Sequence, residues 1–264
     1  MMRGRVLVIA GSDSGGGAGI QADIKTITVF GAYAATAVTA LTAQNTLGVD
    51  AVHVAPLDFV AKQIEVVMSD IGADVVKTGM LADAPTIEAV CDALAQYAAG
   101  VPVVVDPVMV ATSGARLLAD DALSVLKGRL IPMACLITPN LPEAEALTGM
   151  TIPDVSTMRR AAIALLSLGT PAVLLKGGHL ASDQVVDLLA TTDGVEEFVA
   201  PRIVSRNTHG TGCTLASGIA ASLAQGLSLR DSVLRARDFV RAAIAAAPGF
   251  GAGHGPLNHA VGLG

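Results

Sequence analysis

Short runs of Val, Ile and Leu alternate along this chain with longer segments in which apolar residues recur every three or four positions. Residues 6–10, 74–77, 102–105, 135–138 and 172–176 are nearly continuous apolar runs, the pattern of strands buried on both faces. Residues 59–71, 84–98, 120–130 and 157–168 carry the helical period between them. The alternation predicts an α/β protein built from βα units, with a mainly parallel central sheet and helices on both faces. Residues 185–190 and 196–199, separated by Thr191, Thr192, Asp193 and Gly194, read instead as a hairpin on the sheet edge. Two Ala-rich helices are expected over 214–225 and 231–247. Neither an internal repeat nor a Pro- or Ser-rich linker interrupts the pattern, so one domain over residues 1–264 is expected.

In open α/β sheets ligands bind beyond the carboxyl ends of the strands, so the residues that follow each apolar run matter most. The first run leads into a loop with five glycines between positions 11 and 19, where Asp13 and Ser14 also lie. Glycines between a strand and a helix let backbone N–H groups approach an anion. A dinucleotide fingerprint fits only by forcing the register, and no acidic residue follows the second run at the ribose position. A structural glycine turn and a ligand-covering loop are the other readings. Asp13, Ser14, Gln21 and Asp23 crowd polar groups around the loop and favour the covering one.

A second glycine-rich segment, Asn207-Thr208-His209-Gly210-Thr211-Gly212-Cys213, runs straight into a helix. Successive amides at a helix start form a concave anion site, which suits a phosphoryl group in transfer. Its plain alternative is a tight turn around a buried cysteine. The chain contains no GxxxxGK[ST], so a nucleotide would not be held by a Walker loop. At that helix start the dipole is expected to favour the Cys213 thiolate, as a base or a group that positions a hydroxyl proton. Cys91 and Cys135 sit in helix and strand patterns and read as inert core residues. No His-based catalytic arrangement is evident, although His179 and His209 flank the site. Asn140 and Glu143 offer oxygens suited to Mg²⁺ held largely through water, or Glu143 is simply a helix-cap carboxylate.

Charge and composition exclude other classes. The 264 residues carry 17 basic and 23 acidic side chains, a net charge of −6, which leaves no electrostatic footprint for nucleic acid. With five Phe, two Tyr and no Trp there are few stacking platforms for bases. The mean hydropathy of +0.59 calls for a check on membrane segments. Stretches 26–49, 207–229 and 242–264 lack charge, but Thr, Gly, Pro, Asn and His break them, so no spanning helix is expected. The apolar run after Arg3 and Arg5 is too short for a secretory signal, which predicts a cytoplasmic protein. Three cysteines without a CxxC pair fit reduced thiols.

Together these segments resemble the ribokinase family, and within it the hydroxymethylpyrimidine and hydroxymethylpyrimidine phosphate kinases. The most specific stretch is residues 10–23, followed by Thr42-Ala43-Gln44-Asn45, Lys77-Thr78-Gly79-Met80, Val105-Asp106-Pro107-Val108-Met109 and Lys176-Gly177-Gly178-His179. The family's NxxE pattern falls on Asn140 to Glu143, and its anion-hole signature on Asn207 to Cys213, with cysteine where the sugar kinases of the wider family carry aspartate. The resemblance covers essentially the whole chain. It implies a three-layer ribokinase-like fold and a cytoplasmic, usually dimeric enzyme using MgATP. Its implied substrates are 4-amino-5-hydroxymethyl-2-methylpyrimidine and then the monophosphate, in thiamine diphosphate biosynthesis.

By the same resemblance Cys213, Gly210, Gly212 and Lys176 carry catalysis. Gln44, Asp23, Gly11, Met80 and Val108 contact the substrate. Lys176, Thr208, Thr211 and Asp106 bind ATP, and Asn140, Glu143 and Asp106 serve the metal. The Gln44 amide offers a donor and an acceptor side by side, matching the amino group and ring nitrogen of an aminopyrimidine. A pyridoxal kinase, a catalytically silent pyrimidine-binding module and a flavin or nicotinamide oxidoreductase are the alternatives.

Overall fold

The computed structural model describes residues 3–109 and 121–262. In chain order the strands are β1 (Arg5–Asp13), β2 (Tyr33–Gln44), β3 (Val49–Val54), β4 (Val75–Thr78), β5 (Val103–Val105), β6 (Leu136–Ile137), β7 (Ala172–Leu175), β8 (Gln184–Thr191) and β9 (Gly194–Pro201). The helices are α1 (Gly19–Val29), α2 (Leu57–Asp70), α3 (Ala84–Tyr97), α4 (Ala122–Val125), α5 (Leu141–Thr148), α6 (Val155–Leu166), α7 (Thr211–Ala224) and α8 (Leu229–Ala245). All the strands join one sheet in the order β3-β2-β1-β4-β5-β6-β7-β8-β9. Its centre, from β2 to β7, is parallel, whereas β3, β8 and β9 pair antiparallel at the two edges.

The parallel strands other than β2 are buried on both faces, which is why their sequences are apolar runs. Leu7 and Ile9 point into a core shared with residues of α2, α3, α5 and α6. Val6, Val8 and Ala10 point the other way, into a core shared with α1, α7 and α8. The expected three layers are therefore present, and the hairpin over 185–199 is β8–β9 with its turn at Thr192 and Asp193.

Two strands escape the apolar-run pattern. β2 is Ala- and Thr-rich and only partly buried, and β3 is mostly exposed, so neither has a continuous apolar signature. The helix expected over 120–130 is also only partly helical in the ordinary sense. Its described part begins with α4, passes into a π-helical turn over Leu126–Leu130 and ends as a 3-10 turn over Ile131–Met133. Residue 120 lies outside the described residues. Among the described residues no helix is long and apolar enough to cross a membrane.

The chain leaves β1 for β2 on one side and returns to β4 on the other, so the sheet changes winding direction between β1 and β4. A crevice opens at the carboxyl ends of strands flanking such a switch. β1 bulges between Ala10 and Ser12. There Gly11 lets Met80 close in, since a Cβ on Gly11 would lie 3.0 Å from the methionine sulfur. At the other side of the crevice β7 leads into Lys176-Gly177, where β8 crosses so closely that a Cβ on Gly177 would collide with the Val186 carbonyl oxygen. The Gly177 amide donates to Asp187 at 2.8 Å, and Arg237 of α8 donates to the other oxygen of that carboxylate, also at 2.8 Å. The position of Lys176 thus depends on a backbone contact that only glycine permits.

Gly177→Ala is expected to destabilise the fold by roughly 1–3 kcal/mol, the usual cost of overpacking. At about 2–4 °C per kcal/mol this is readily visible in thermal melts. Gly178→Ala, which adds a Cβ in open space, serves as the control and should leave the melting temperature unchanged.

Candidate active site

The first glycine-rich loop is organised by a carboxylate. β1 extends as far as Asp13, whose Oδ1 accepts the Gly15 amide at 2.8 Å and whose Oδ2 accepts those of Gly17 at 3.0 Å and Ala18 at 2.8 Å. His209 donates its Nε2–H to the same Oδ2 at 2.8 Å. Burial would raise the Asp13 carboxyl, but the His209 bond and the amides of Ala18 and Gly15 hold it below its ordinary range. These loop amides face an internal anion, so they are not free to cradle a dinucleotide pyrophosphate. Gln21 braces the same turn by accepting the Asp13 amide at 2.9 Å and donating to Ser12 Oγ at 2.7 Å. Ser14 Oγ exchanges hydrogen bonds with the backbone of Gln44, both at 2.9 Å.

In the second glycine-rich segment the amides of Asn207, His209 and Thr211 are used within the fold, whereas those of Gly212 and Cys213 are available. Gly210 caps α7 in the left-handed conformation, φ 83°, with no side-chain cap bond. The helix therefore presents its first-turn N–H groups to whatever lies in front of them. A Cβ on Gly210 would collide with the Gly17 carbonyl oxygen, so the two glycine-rich segments dock backbone to backbone. A Cβ on Gly212 would lie 3.3 Å from Lys176 Nζ and 3.5 Å from Asp106 Oδ2. The ammonium thus stands against the positive end of α7. Lys176 donates to Asp106 at 3.1 Å. Burial opposes its charge, but Asp106 and Glu143 outweigh that and raise its pKa, so it stays a cation.

Asn140 and Glu143 form a reciprocal cap at the start of α5. Asn140 Oδ1 accepts the Glu143 amide at 2.9 Å, and Glu143 Oε2 accepts the Asn140 amide at 2.7 Å. The helix-cap reading of Glu143 therefore holds, and one oxygen of each residue is already engaged. Burial raises the Glu143 carboxyl to about 7, against the pull of Lys176. Asp106 has Oδ1 engaged by Thr138 at 3.0 Å as well as by Lys176, which leaves Oδ2 free of both bonds. Among the described residues no cluster of three or more His, Cys, Asp or Glu is placed to enclose a metal. A hard cation held by one or two carboxylates, water and substrate phosphates fits this donor set; an all-protein cage does not.

A cavity of about 1060 Å³ joins these parts. Gly11, Gln44, Met80 and Val108 line it, as do Asp106, Asn140, Glu143 and Lys176. Thr208, Gly210, Thr211, Gly212 and Cys213 form the face supplied by the start of α7. Residues of α8 and the segment after β9, including Ile203, Val240 and Arg241, complete a third wall.

Two expectations need correction. Asp23 does not line the cavity; it is fully buried beneath it, paired with Lys77 Nζ at 2.9 and 3.0 Å and accepting Ser217 Oγ at 2.6 Å. Cys213 does line the cavity, but its thiolate is not favoured. Burial pushes the thiol up to about 12, and the charge of Lys77 and the helix start do not overcome it. At neutral pH Cys213 is a thiol.

Lys77 and His209 lie in the quoted motifs, and His209 is expected to flank the site, but neither is given a role there. A lysine inside a four-residue strand that is otherwise wholly buried is itself a signal, because Lys is almost never fully buried unless paired. His209 carries a weaker one, its place between the glycine-rich segment's Thr208 and Gly210. Residues 249–259 close the site from behind. Within this tail the His254 amide donates to the Thr46 carbonyl at 2.9 Å, the Gly255 carbonyl accepts the His209 amide at 3.2 Å, and His259 bonds Thr214 Oγ1 at 2.9 Å.

The model of the family described as phosphomethylpyrimidine kinase matches residues 13–258. The bifunctional thiamine biosynthesis protein ThiED of Geobacter sulfurreducens is 57% identical over 97% of this chain, which spans about half, 52%, of that longer relative. The hydroxymethylpyrimidine/phosphomethylpyrimidine kinase of Streptomyces coelicolor is 49% identical over 98% of this chain and 95% of its own length. Among solved structures, the ADP complex of Bacillus subtilis pyridoxal kinase superposes with a TM-score of 0.90 at 34% identity, covering 98% of each chain. Family model, relatives and layered architecture agree: the chain belongs to the phosphomethylpyrimidine kinase family and has its ribokinase-like fold.

Proposed function

We propose that this protein transfers the γ-phosphoryl group of ATP to the hydroxymethyl oxygen of 4-amino-5-hydroxymethyl-2-methylpyrimidine, and then a second phosphoryl group to the monophosphate, in thiamine diphosphate biosynthesis and within one domain. The observation that carries this reading is the uncapped start of α7 facing Lys176, with Cys213 beside it, in one cavity with the Gln44 amide. In each transfer the acceptor oxygen forms a bond to phosphorus while the bridging P–O bond to ADP breaks. The transition state is loose and spreads charge over the equatorial oxygens. The Gly212 and Cys213 amides and the Lys176 ammonium are placed to stabilise that charge without reorganising. Thr208 and Thr211 offer hydroxyls to the nucleotide phosphates.

Gln44 pairs with the aminopyrimidine edge, and Met80 and Val108 form its apolar wall. As a thiol, Cys213 orients the attacking hydroxyl, whose proton leaves late in so loose a transfer. Magnesium arriving with the nucleotide would be held by Glu143 and Asp106, largely through water, and would neutralise phosphate charge. Asn140 keeps Glu143 in place through the helix cap. The protein acts on small molecules in the cytoplasm, without nucleic acid or membrane partners.

Mass spectrometry after incubation with MgATP and, separately, the pyrimidine alcohol, its monophosphate, pyridoxal and ribose tests the assignment. One and then two added phosphoryl groups on the pyrimidine are expected. Phosphorylated pyridoxal without pyrimidine products would overturn it in favour of a pyridoxal kinase.

We propose in addition a homodimer formed through the β3 edge. Leu41 (55% exposed), Leu47 (69%) and Phe59 (60%) lie on β2, the β2–β3 turn and α2, an unusual concentration of exposed apolar side chains beside an unpaired strand edge. Light scattering should give about twice the 26.5 kDa chain mass; a monomer at micromolar concentration would remove the proposal.

Cys213→Ala is expected to lower kcat about 100-fold, the scale of a misplaced reacting group, while KM for the pyrimidine stays within about 2-fold. A fall of less than about 3-fold would leave Cys213 a packing residue. Glu143→Gln keeps the helix cap, since glutamine also fills that position, but removes the charge. It should raise the Mg²⁺ concentration that gives half-maximal rate at saturating ATP with no change in melting temperature. An unchanged midpoint would confine Glu143 to capping and leave Asp106 as the metal's carboxylate.

A further inference from the structure

Lys77 is fully buried, yet it reaches the cavity floor. Its Nζ lies 3.0 Å from where a Cβ on Gly79 would stand, so the glycine makes room for it. Both oxygens of Asp23 accept from it, and Ser217 Oγ donates to Asp23 at 2.6 Å. Ser217 lies four residues after Cys213 on α7, one helical turn further along the same face. The unit thus links β4, α1 and the first two turns of the helix that carries the anion-binding amides.

We propose that Lys77, fixed by Asp23 and Ser217, is a positioning residue for phosphoryl transfer: it holds the start of α7 in register and places a positive charge under Cys213. Two hydrogen bonds to Asp23 use two of the three ammonium donors. The third side of the cation faces Gly79, which lines the cavity, so its field acts on the negative charge that the transferring phosphoryl oxygens carry. The charged groups around Cys213 are Lys77 on β4, Asp23 on α1, Asp106 after β5 and Lys176 after β7. Of these Lys77 lowers the proton affinity of Cys213 most, and Asp23 and Asp106 oppose it. Burial works against the charge on Lys77, but Asp23 beside it, with Cys213 and Asp106, keeps its pKa raised. Burial raises the Asp23 carboxyl against the pull of Lys77 and Ser217, while the Lys77 ammonium keeps its proton. This inference rests on the kinase reading, which wild-type activity tests separately.

Removing the charge separates this role from packing. Lys77→Ala should lower kcat at least about 10-fold with KM for ATP and pyrimidine changed less than about 2-fold, the signature of an interaction made mainly in the transition state. The vacated space opens to the cavity, so ethylammonium chloride should restore part of kcat in a saturable way, whereas ethanol should not. Rescue by both, or by neither in a folded variant, would reduce Lys77 to a filler and overturn the proposal. Should Lys77→Ala not fold, Ser217→Ala removes one support of Asp23 and leaves the pair. It should lower kcat without raising either KM, and an unchanged kcat would overturn the proposal equally.

Discussion

The carboxylate of Asp13 accepts three backbone amides of its own loop and the ring N–H of His209, and so joins the carboxyl end of β1 to the segment that starts α7. Everything in the cavity is placed with respect to that junction. Because the carboxylate is held ionised, it can compensate four donors at once, which a neutral side chain could not do. Its consequence is a division of labour between two glycine-rich segments that look alike in sequence. In the first, the amides turn inward and the loop becomes a wall; in the second, those of Gly212 and Cys213 stay free at the start of α7. The backbone contact of Gly17 with Gly210 then fixes how far apart wall and receptor stand.

A chain with a net charge of −6 must still receive polyanions, and the attraction has to be generated locally. Two lysines supply it, each beside an aspartate: the partly exposed Lys176 with Asp106 and the buried Lys77 with Asp23. An unpaired buried ammonium would lose its proton, while one paired too completely would offer nothing to a ligand. The structure resolves this by leaving part of Lys176 open to the cavity, by sealing Lys77 beneath it, and by adding the dipole of α7, whose field requires no side chain. Glu143 belongs to the same balance, since burial raises it to about 7 and makes a cation the natural companion of its charged form.

The parallel strands were legible because burial on both faces writes itself as an apolar run, and the polar loops were legible because such runs end abruptly. β2 and β3 were not, since alanine, threonine and partial exposure leave neither an apolar run nor clean alternation. Helix starts were read two or three residues late at α2, α6, α7 and α8. At α2 and α7 the cap is Pro56 or Gly210 without a side-chain bond, so no polar residue marks the boundary. Within the site, motif positions predicted which residues meet: all but Asp23 of those anticipated line the cavity. The charge state of Cys213 and the depth of Asp23 were beyond reach of the motifs. Both depend on burial, which is a property of how distant segments pack around a residue.

The tail that closes the site from behind has a bearing on how the enzyme comes into being. Asp13 meets His209 across 196 positions, and Thr46 accepts from the Gly253 amide across 207. Contacts of such sequence separation form late, because the intervening chain must first be made and its ends brought together. During synthesis, β1 and its loop leave the ribosome long before α7 and residues 249–259 exist to receive them. A nascent chain can therefore assemble most of its sheet while its catalytic surface is still in pieces. The walls that α7 and residues 249–259 supply to the cavity are complete only once nearly the entire polypeptide has been translated.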